Sequence, residues 1–302
     1  MDYAYILAPA HSGSTLLAML LASHPQVVSV GETSAVHAAG NGDTGLCSCA
    51  APLDACAFWT RVRGWLEQRG IRWDARSFQT TFRAPRRPLV DRLLRAEYRG
   101  PLLEALRDGL LALAPGWRKR AAEILRCNEA LIEAALALRG ARVFVDSSKQ
   151  PHRLKFLLRS RTLRTRVIHL LRDGRGVTAS YIRKGLPVER AVDEWRRSVV
   201  SEEHILRRMP AERVTTLRYE ALCADAEGAA RRLWDFLGVD SSAGLSHWPP
   251  AEHHVLGNRM RLSASEPIRS DERWRTTLGR RELDFFERSA GAVNRRYGYE
   301  PV

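Results

Sequence analysis

The sequence predicts an α/β fold, a parallel sheet flanked by helices with a helical insertion over one end. Two observations carry this. Short apolar runs of strand length alternate with helix-length segments in two separate stretches, one at the N-terminus and one between about 142 and 181. Strands that read as continuous apolar runs are buried on both faces, as in a parallel sheet. The composition agrees: 302 residues, 45% of them hydrophobic, describe a globular chain long enough to bury roughly three quarters of its unfolded surface. With no internal repeat or low-complexity tract, the chain reads as one domain over 1–302. The insertion falls at about 40–140, and a C-terminal loop and helix occupy about 245–302.

The elements follow in order. Residues 3–8 read as a buried strand, 9–13 as a tight loop, and 14–23 as a helix carrying Leu16, Leu17, Leu20 and Leu21. A second strand, 27–30, ends at Gly31-Glu32. Residues 56–139 read as three or more amphipathic helices, interrupted near 85–88, at Pro101 and at Pro115. The strand 142–146 leads through Ser147-Ser148-Lys149 into a helix that Pro151 opens at its first turn. Another strand, 166–171, leads through Arg172-Asp173-Gly174-Arg175-Gly176 into a helix running through Tyr181. Beyond it come a helix at 188–208, a strand at 213–217 and a helix at 227–237. Residues 247–280 are polar and loop-rich, and a helix over 281–297 closes the chain.

The charge narrows the function classes. Of 48 basic residues against 34 acidic ones, only Lys119, Lys149, Lys155 and Lys184 are lysines; the other 44 are arginines, and the net charge is +14. That skew reflects a GC-rich coding background as much as a selected basic surface. It favours anionic ligands, but no arginine cluster is interleaved with aromatics, so no nucleic-acid partner is expected. No apolar run reaches about 18 residues, so no membrane span is expected. The apolar N-terminus lacks a basic flank and is broken by the polar run from His11 to Thr15, unlike a signal peptide. Five cysteines, an odd number, do not suggest a secreted disulfide framework, and a cytoplasmic location is expected.

In a parallel sheet, anions bind where strand ends meet helix N-termini, because backbone N–H groups and the helix dipole converge there. The loop from Ala8 to Thr15 sits at such a point: its small residues permit close approach, and Ser14 and Thr15 add hydroxyls. Against the nucleotide-triphosphate loop G-x-x-x-x-G-K-[ST] the match is partial, since Ala8 replaces the first glycine and Ser14 the lysine. A plain strand-to-helix turn is the simpler alternative. The second loop places Arg172 at a strand end and Ser180 two turns into the next helix, where guanidinium and hydroxyl suit a phosphate. Its simpler alternative is a surface arginine paired with Asp173. Together the loops imply two anion sites, as a ligand with two distinct phosphate groups requires.

The run His11-Ser12-Gly13-Ser14-Thr15-Leu16-Leu17, followed by Ser23-His24-Pro25 and Gly31-Glu32, resembles the 5′-phosphosulfate loop of sulfotransferases that use 3′-phosphoadenosine-5′-phosphosulfate (PAPS). Residues 171–180 are similar to their 3′-phosphate element, with the same Arg-to-Ser spacing. Weaker similarity reaches 257–261 and 271–274, like the loop that closes over the nucleotide in this family. The region 40–140 carries no family motif. The resemblance implies a bacterial-type, P-loop-like fold, akin to protein-tyrosine and carbohydrate sulfotransferases, in which the helical insertion covers the acceptor side. It implies PAPS as sulfuryl donor and a hydroxyl-bearing acceptor: a small molecule, sugar, lipid headgroup or tyrosine. His11, Ser12, Gly13, Ser14 and Thr15 would cradle the 5′-phosphosulfate, and Arg172 and Ser180 would hold the 3′-phosphate. Asn258 and Arg259 would belong to the closing loop. Glu32 falls where protein-tyrosine sulfotransferases place their general base; its alternative is a carboxylate capping the Thr33 turn. Lys149 resembles the lysine that neutralises charge on the bridging oxygen; its alternative is a surface lysine. One departure is His11, where the family usually has Arg or Lys. An unperturbed imidazole is mostly uncharged near neutral pH, so whether His11 is catalytic or Lys149 carries the charge alone stays open.

In-line sulfuryl transfer needs alignment, charge stabilisation and a base near the acceptor hydroxyl, and no metal is expected. A kinase-like phosphotransferase using ATP and Mg²⁺ is the second reading; the missing loop lysine and the lack of an evident acidic strand end count against it. A polyanion-binding protein is the third. Cys47-Ser48-Cys49 and Cys56 form C-x-C-x6-C, which fits zinc with Cys127 or His37 as fourth ligand, a disulfide, or reduced packing cysteines. His253-His254 reads as solvated or next to the nucleotide, not as metal-binding. Trp59, Trp65, Trp73 and Trp117 read as packing residues of the insertion, with an acceptor-pocket role as the alternative.

Overall fold

The computed structural model describes residues 1–36, 46–73, 78–96, 100–245, 253–255, 262 and 268–301. The chain runs from β1 (Asp2–Leu7) to α1 (Ser14–Ala22) and β2 (Val27–Ser29), then into four helices, α2 (Ala57–Glu67), α3 (Pro88–Arg95), α4 (Pro101–Leu113) and α5 (Trp117–Arg139). It returns through β3 (Val143–Lys149), α6 (Pro151–Leu157), β4 (Arg164–Leu171), α7 (Gly174–Ile182), α8 (Val188–Leu206) and β5 (Val214–Arg218). Helices α9 (Tyr219–Ala224), α10 (Ala226–Leu237), α11 (Trp274–Thr277), α12 (Arg280–Phe286) and α13 (Ala292–Arg296) follow.

Among the described residues the five strands are all parallel, in the order β2-β3-β1-β4-β5. Period-two alternation sorts β1 between two cores. Tyr3, Tyr5 and Leu7 pack with Trp59, Phe78, Phe82 and Trp117 on the insertion side, while Ala4 and Ile6 pack with Leu17, Leu20 and Trp234 on the other. The result is a helix–sheet–helix sandwich, the α/β fold that the alternating segments predict and the P-loop-like form that the resemblance implies. Helix α1 is buried along its whole length, as a helix apolar all round must be.

This order positions the site. The chain leaves β1 for the β2–β3 side and later returns to β4 on the other side, so the crevice beyond the carboxyl end of β1 is a topological switch point. Leu7 pairs with both Lys149 and His169, which brings the ends of β1, β3 and β4 to one level.

Pro88 and Pro101 open α3 and α4 at their first turns, where the missing N–H costs nothing, instead of merely interrupting a pattern. Trp59 and Trp117 are buried and Trp65 and Trp73 partly so, in agreement with the packing role. Three differences from expectation have physical causes. Strand β3 continues through the polar Asp146-Ser147-Ser148, because Ser147 N donates to Gly31 O beyond β2 and the Asp146 carboxylate is satisfied internally. Helix α9, six residues long, is too short to leave a periodic signal. The last helix is split by a π-helical segment, Glu287–Gly291. No helix among the described residues is long and apolar enough to cross a membrane.

Candidate active site

The first loop is built around Gly13, the residue before α1. Its φ is +89°, and a Cβ there would stand 2.6 Å from a ring carbon of Tyr219, so both backbone and space demand glycine. Among the described residues, no side chain caps α1 and its first turn holds no acidic residue. A helix N-terminus of this kind favours an anion. Ser14 and Thr15 start the helix, buried. Ser12 is fully buried, and its Oγ has no hydrogen-bond partner among the described residues. A buried orphan hydroxyl costs about 1–3 kcal/mol, which an anionic oxygen in this loop would offset.

The second loop comes to meet the first. Arg172 donates to the carbonyl of His11 (2.8 Å) and to that of Asp271 (2.7 Å), and lies over the Tyr219 ring, 4.6 Å from its centroid. Gly176 makes room, since a Cβ there would lie 3.0 Å from the Arg172 Nε. The surface pair with Asp173 does not form. Asp173 caps α7 by accepting from the Arg175 amide, and its carboxylate pairs with the Arg175 guanidinium at 2.7 Å. Asn294 donates to Asp173 and accepts from the Gly174 amide, which closes the start of α7. Ser180 Oγ donates to the Gly176 carbonyl and accepts from Arg183. Arg183, Arg172 and Arg273 surround the Asp271 carboxylate at 3.6, 3.4 and 2.7 Å. The hydrogen bond from Arg273, with Arg172 nearby, holds that carboxyl well below the usual range. Asn258 and Arg259 lie outside the described residues.

Beside the first loop, at the β3 edge away from the second loop, Lys149 Nζ pairs with Glu32 Oε1. Both side chains are largely buried, so Lys149 is not a free surface lysine. The Glu32 side chain makes no cap bond to the Thr33 turn, so the capping alternative does not hold. Their spacing is set by a hub that the sequence does not reveal. Asp146, fully buried, accepts from Tyr3 Oη (2.7 Å), Thr33 Oγ1 (2.5 Å), Ser148 N (2.9 Å) and Ser148 Oγ (2.5 Å), and pairs with buried Arg153 at 3.1 Å. Burial pushes the Asp146 carboxyl up, but Arg153 and these donors outweigh it and hold it below its usual value. Thr33 and Ser148 are the neighbours of Glu32 and Lys149, so the hub fixes both. Asp146 is also the acidic strand end missed above. Its carboxylate is committed to these partners, so it offers no ready Mg²⁺ ligand to a kinase-like reading.

His11 packs edge-on to Tyr181, centroids 4.9 Å apart. Burial, and then Lys184, Lys149, Arg172 and Arg183, lower its pKa to about 4. Because this folded value lies below the unfolded value of about 6.5, the folded state resists protonation, and stability falls as pH drops from about 6.5 toward 4. An NMR titration should place the His11 midpoint near 4, and His11→Gln should flatten the acid limb of the stability curve. A midpoint at about 6.5 would contradict the neutral imidazole.

Among the described residues, the non-glycine residues with positive φ are His11, Ala50 and Lys149. Such strain, about 1–3 kcal/mol each, gathers at functional sites; two of the three are here. The third lies in the cysteine turn. There the Cys47, Cys49 and Cys56 sulfurs converge with His253, whose ring stacks on Phe58. His253 is thus partly buried, and His254 is fully buried. Cys127 lies in α5, outside this group, and His37 lies outside the described residues.

Tyr219 forms the floor under Gly13 and Arg172, and its only signal in the sequence is an aromatic immediately after a strand end.

A family model described as "Sulfotransferase family" matches residues 77–243. No curated protein matches the chain. Among solved structures, the sulfotransferase domain of the Synechococcus PCC 7002 olefin synthase is 21% identical, with 99% of this chain and 95% of that one covered at a TM-score of 0.58. The sulfotransferase domain from the curacin biosynthetic pathway is 18% identical, covering 99% and 98% at a TM-score of 0.52. The sulfotransferase STF9 from Mycobacterium avium is 14% identical, covering 98% and 76% at 0.50. At these identities the structural likeness speaks for the fold alone.

Proposed function

The chain belongs to the sulfotransferase family, and from that premise we propose that it transfers a sulfuryl group from PAPS to an acceptor hydroxyl by in-line displacement. The observation that carries the donor assignment is the bond from Arg172 to the His11 carbonyl, which joins two anion-binding elements 161 residues apart. One ligand with a phosphosulfate at one end and a 3′-phosphate at the other uses both.

In this reading Ser12, Gly13, Ser14 and Thr15 hold the 5′-phosphosulfate at the open end of α1, and Arg172 and Ser180 hold the 3′-phosphate. Asn258 and Arg259 are assigned to the segment closing over the nucleotide. Lys149 donates to the bridging oxygen as charge builds there, and neutral His11 adds a hydrogen bond without a full charge. Glu32 takes the proton from the acceptor hydroxyl. The transferred group carries less negative charge than a phosphoryl, so this chemistry requires no metal at that group. The acceptor enters from the insertion side; a small molecule, sugar, lipid headgroup or tyrosine each presents the required hydroxyl. We take residues 1–302 as one sulfotransferase domain and, from the cysteine content, place it in the cytoplasm.

Thermal denaturation tests the donor. At about 100 times its Kd, 3′-phosphoadenosine-5′-phosphate should add about 2.7 kcal/mol of stability without any metal, a shift of several degrees. Stabilisation only by ATP with Mg²⁺, or only by heparin, would overturn the proposal in favour of a phosphotransferase or a polyanion binder.

A further inference from the structure

We propose that Cys47, Cys49, Cys56 and His253 form a structural zinc site that ties the start of the insertion and the 253–255 segment to the end of β2. These four donors have no role in sulfuryl transfer, yet their ligand atoms all lie within 4.8 Å of one another. The Cys47 sulfur is 3.5 Å and the Cys56 sulfur 3.3 Å from His253 Nδ1, and the Cys49 and Cys56 sulfurs are 3.6 Å apart. A tetrahedral ion with Zn–S of about 2.3 Å and Zn–N of about 2.0–2.1 Å sets sulfur–nitrogen edges of about 3.5 Å and sulfur–sulfur edges of about 3.8 Å. These three separations lie close to those edges, and the remaining pairs stay within 4.8 Å. They do not match a disulfide, which requires about 2.05 Å.

The surroundings hold the donors in place. Ala50 takes a positive φ in a tight turn, with Cys47 N bonded to Ala51 O, Ala50 N bonded to Cys47 O, and a bridge between Leu46 and Pro52. That turn presents Cys47 and Cys49 together. Ser48 N donates to the His254 carbonyl and Ser48 Oγ accepts from the His254 amide, pinning the fourth ligand's segment to the same turn. Phe58 stacks flat on the His253 ring, 4.8 Å between centroids with planes 3° apart, and fixes its orientation. Three thiolates and one imidazole complete a four-coordinate set with no open position, the pattern of a structural and not a catalytic zinc, and soft thiolates favour zinc over hard cations. Sequence spacing concealed it because His253 lies 197 residues beyond Cys56.

The site also bears on Glu32. Val255 N donates to Val30 O, and Glu32 N donates to Val255 O. The ion would thus anchor the short strand that holds the Glu32 backbone.

Full-length protein purified under reducing conditions with zinc supplied should carry about one zinc per chain. Cys49→Ser, at the exposed ligand where packing is least disturbed, and His253→Ala should each lose most of it, while Cys127→Ser keeps it. The cobalt(II)-substituted wild type should show thiolate-to-cobalt charge transfer and the intense visible bands of a tetrahedral ion, a readout that needs no variant. Three results would each overturn the proposal: reduced wild type that binds no zinc, variants that both retain full zinc, or metal-free protein purified with a Cys49–Cys56 disulfide.

Discussion

Glu32→Gln should lower kcat by about 10²- to 10⁴-fold, the range of a lost general base, while the Kd for 3′-phosphoadenosine-5′-phosphate stays within a few-fold. The substitution keeps size and shape but leaves an amide that accepts no proton. It spares what the backbone of residue 32 does, since the bond from Glu32 N to Val255 O is unchanged. The Glu32 side chain is not a cap of the following turn, so no helix-start energy is lost with its charge. It does break the ion pair with Lys149, and a second variant separates that effect. Lys149→Met breaks the same pair while leaving the carboxylate. If the pair only held the ligand-free site together, both variants would shift thermal stability alike and leave kcat nearly unchanged. If Glu32 is the base and Lys149 stabilises the bridging oxygen, both lose turnover, and the double variant loses less than the product of the single losses. Steady-state rates with calorimetry of nucleotide binding read this out, and kcat within twofold of wild type in Glu32→Gln would remove Glu32 from the mechanism.

What the sequence makes legible here is what is local. The strands and helices around 3–30 and 142–181 follow from apolar runs a few residues long, and both anion-binding loops sit within such units. What it hides depends on contacts made across the chain. Asp146 finds Tyr3, Thr33 and Arg153 only after β1, β3 and the turn beyond β2 assemble side by side. The depressed His11 pKa comes from its burial in the assembled fold and from basic neighbours that include Lys184 and Arg183, just past the end of α7. Adjacency misled in one place: Asp173 stands next to Arg172, but as the cap of α7 its carboxylate turns toward the amide two residues on, and so toward Arg175. That turn leaves Arg172 for the neighbouring loop.

Arg172→Ala should weaken 3′-phosphoadenosine-5′-phosphate by about 100-fold, roughly 2.7 kcal/mol, and adenosine-5′-phosphate by only a few-fold. Guanidinium bonds to phosphate are charge-assisted and worth about 1.5–3 kcal/mol. In the structure two of the Arg172 N–H groups go to the His11 and Asp271 carbonyls. A guanidinium has five such donors, so three lie outside these two bonds; Nη2 also stands 3.4 Å from the Asp271 carboxylate, and Gly176 leaves at Nε the room that a Cβ, 3.0 Å away, would take. The same carbonyl bonds make the control necessary, because removing Arg172 also loosens the Ser12-Gly13 loop and costs any ligand that uses it. The informative quantity is therefore the ratio of the two losses. Arg172→Lys keeps the charge but not the planar fork, and should fall between wild type and alanine for the 3′-phosphorylated ligand. Ser180→Ala should lose less than Arg172→Ala, in the same ligand-selective sense. Equal weakening of both nucleotides by Arg172→Ala would mean that the guanidinium serves only to brace the first loop, and the 3′-phosphate would then need another partner.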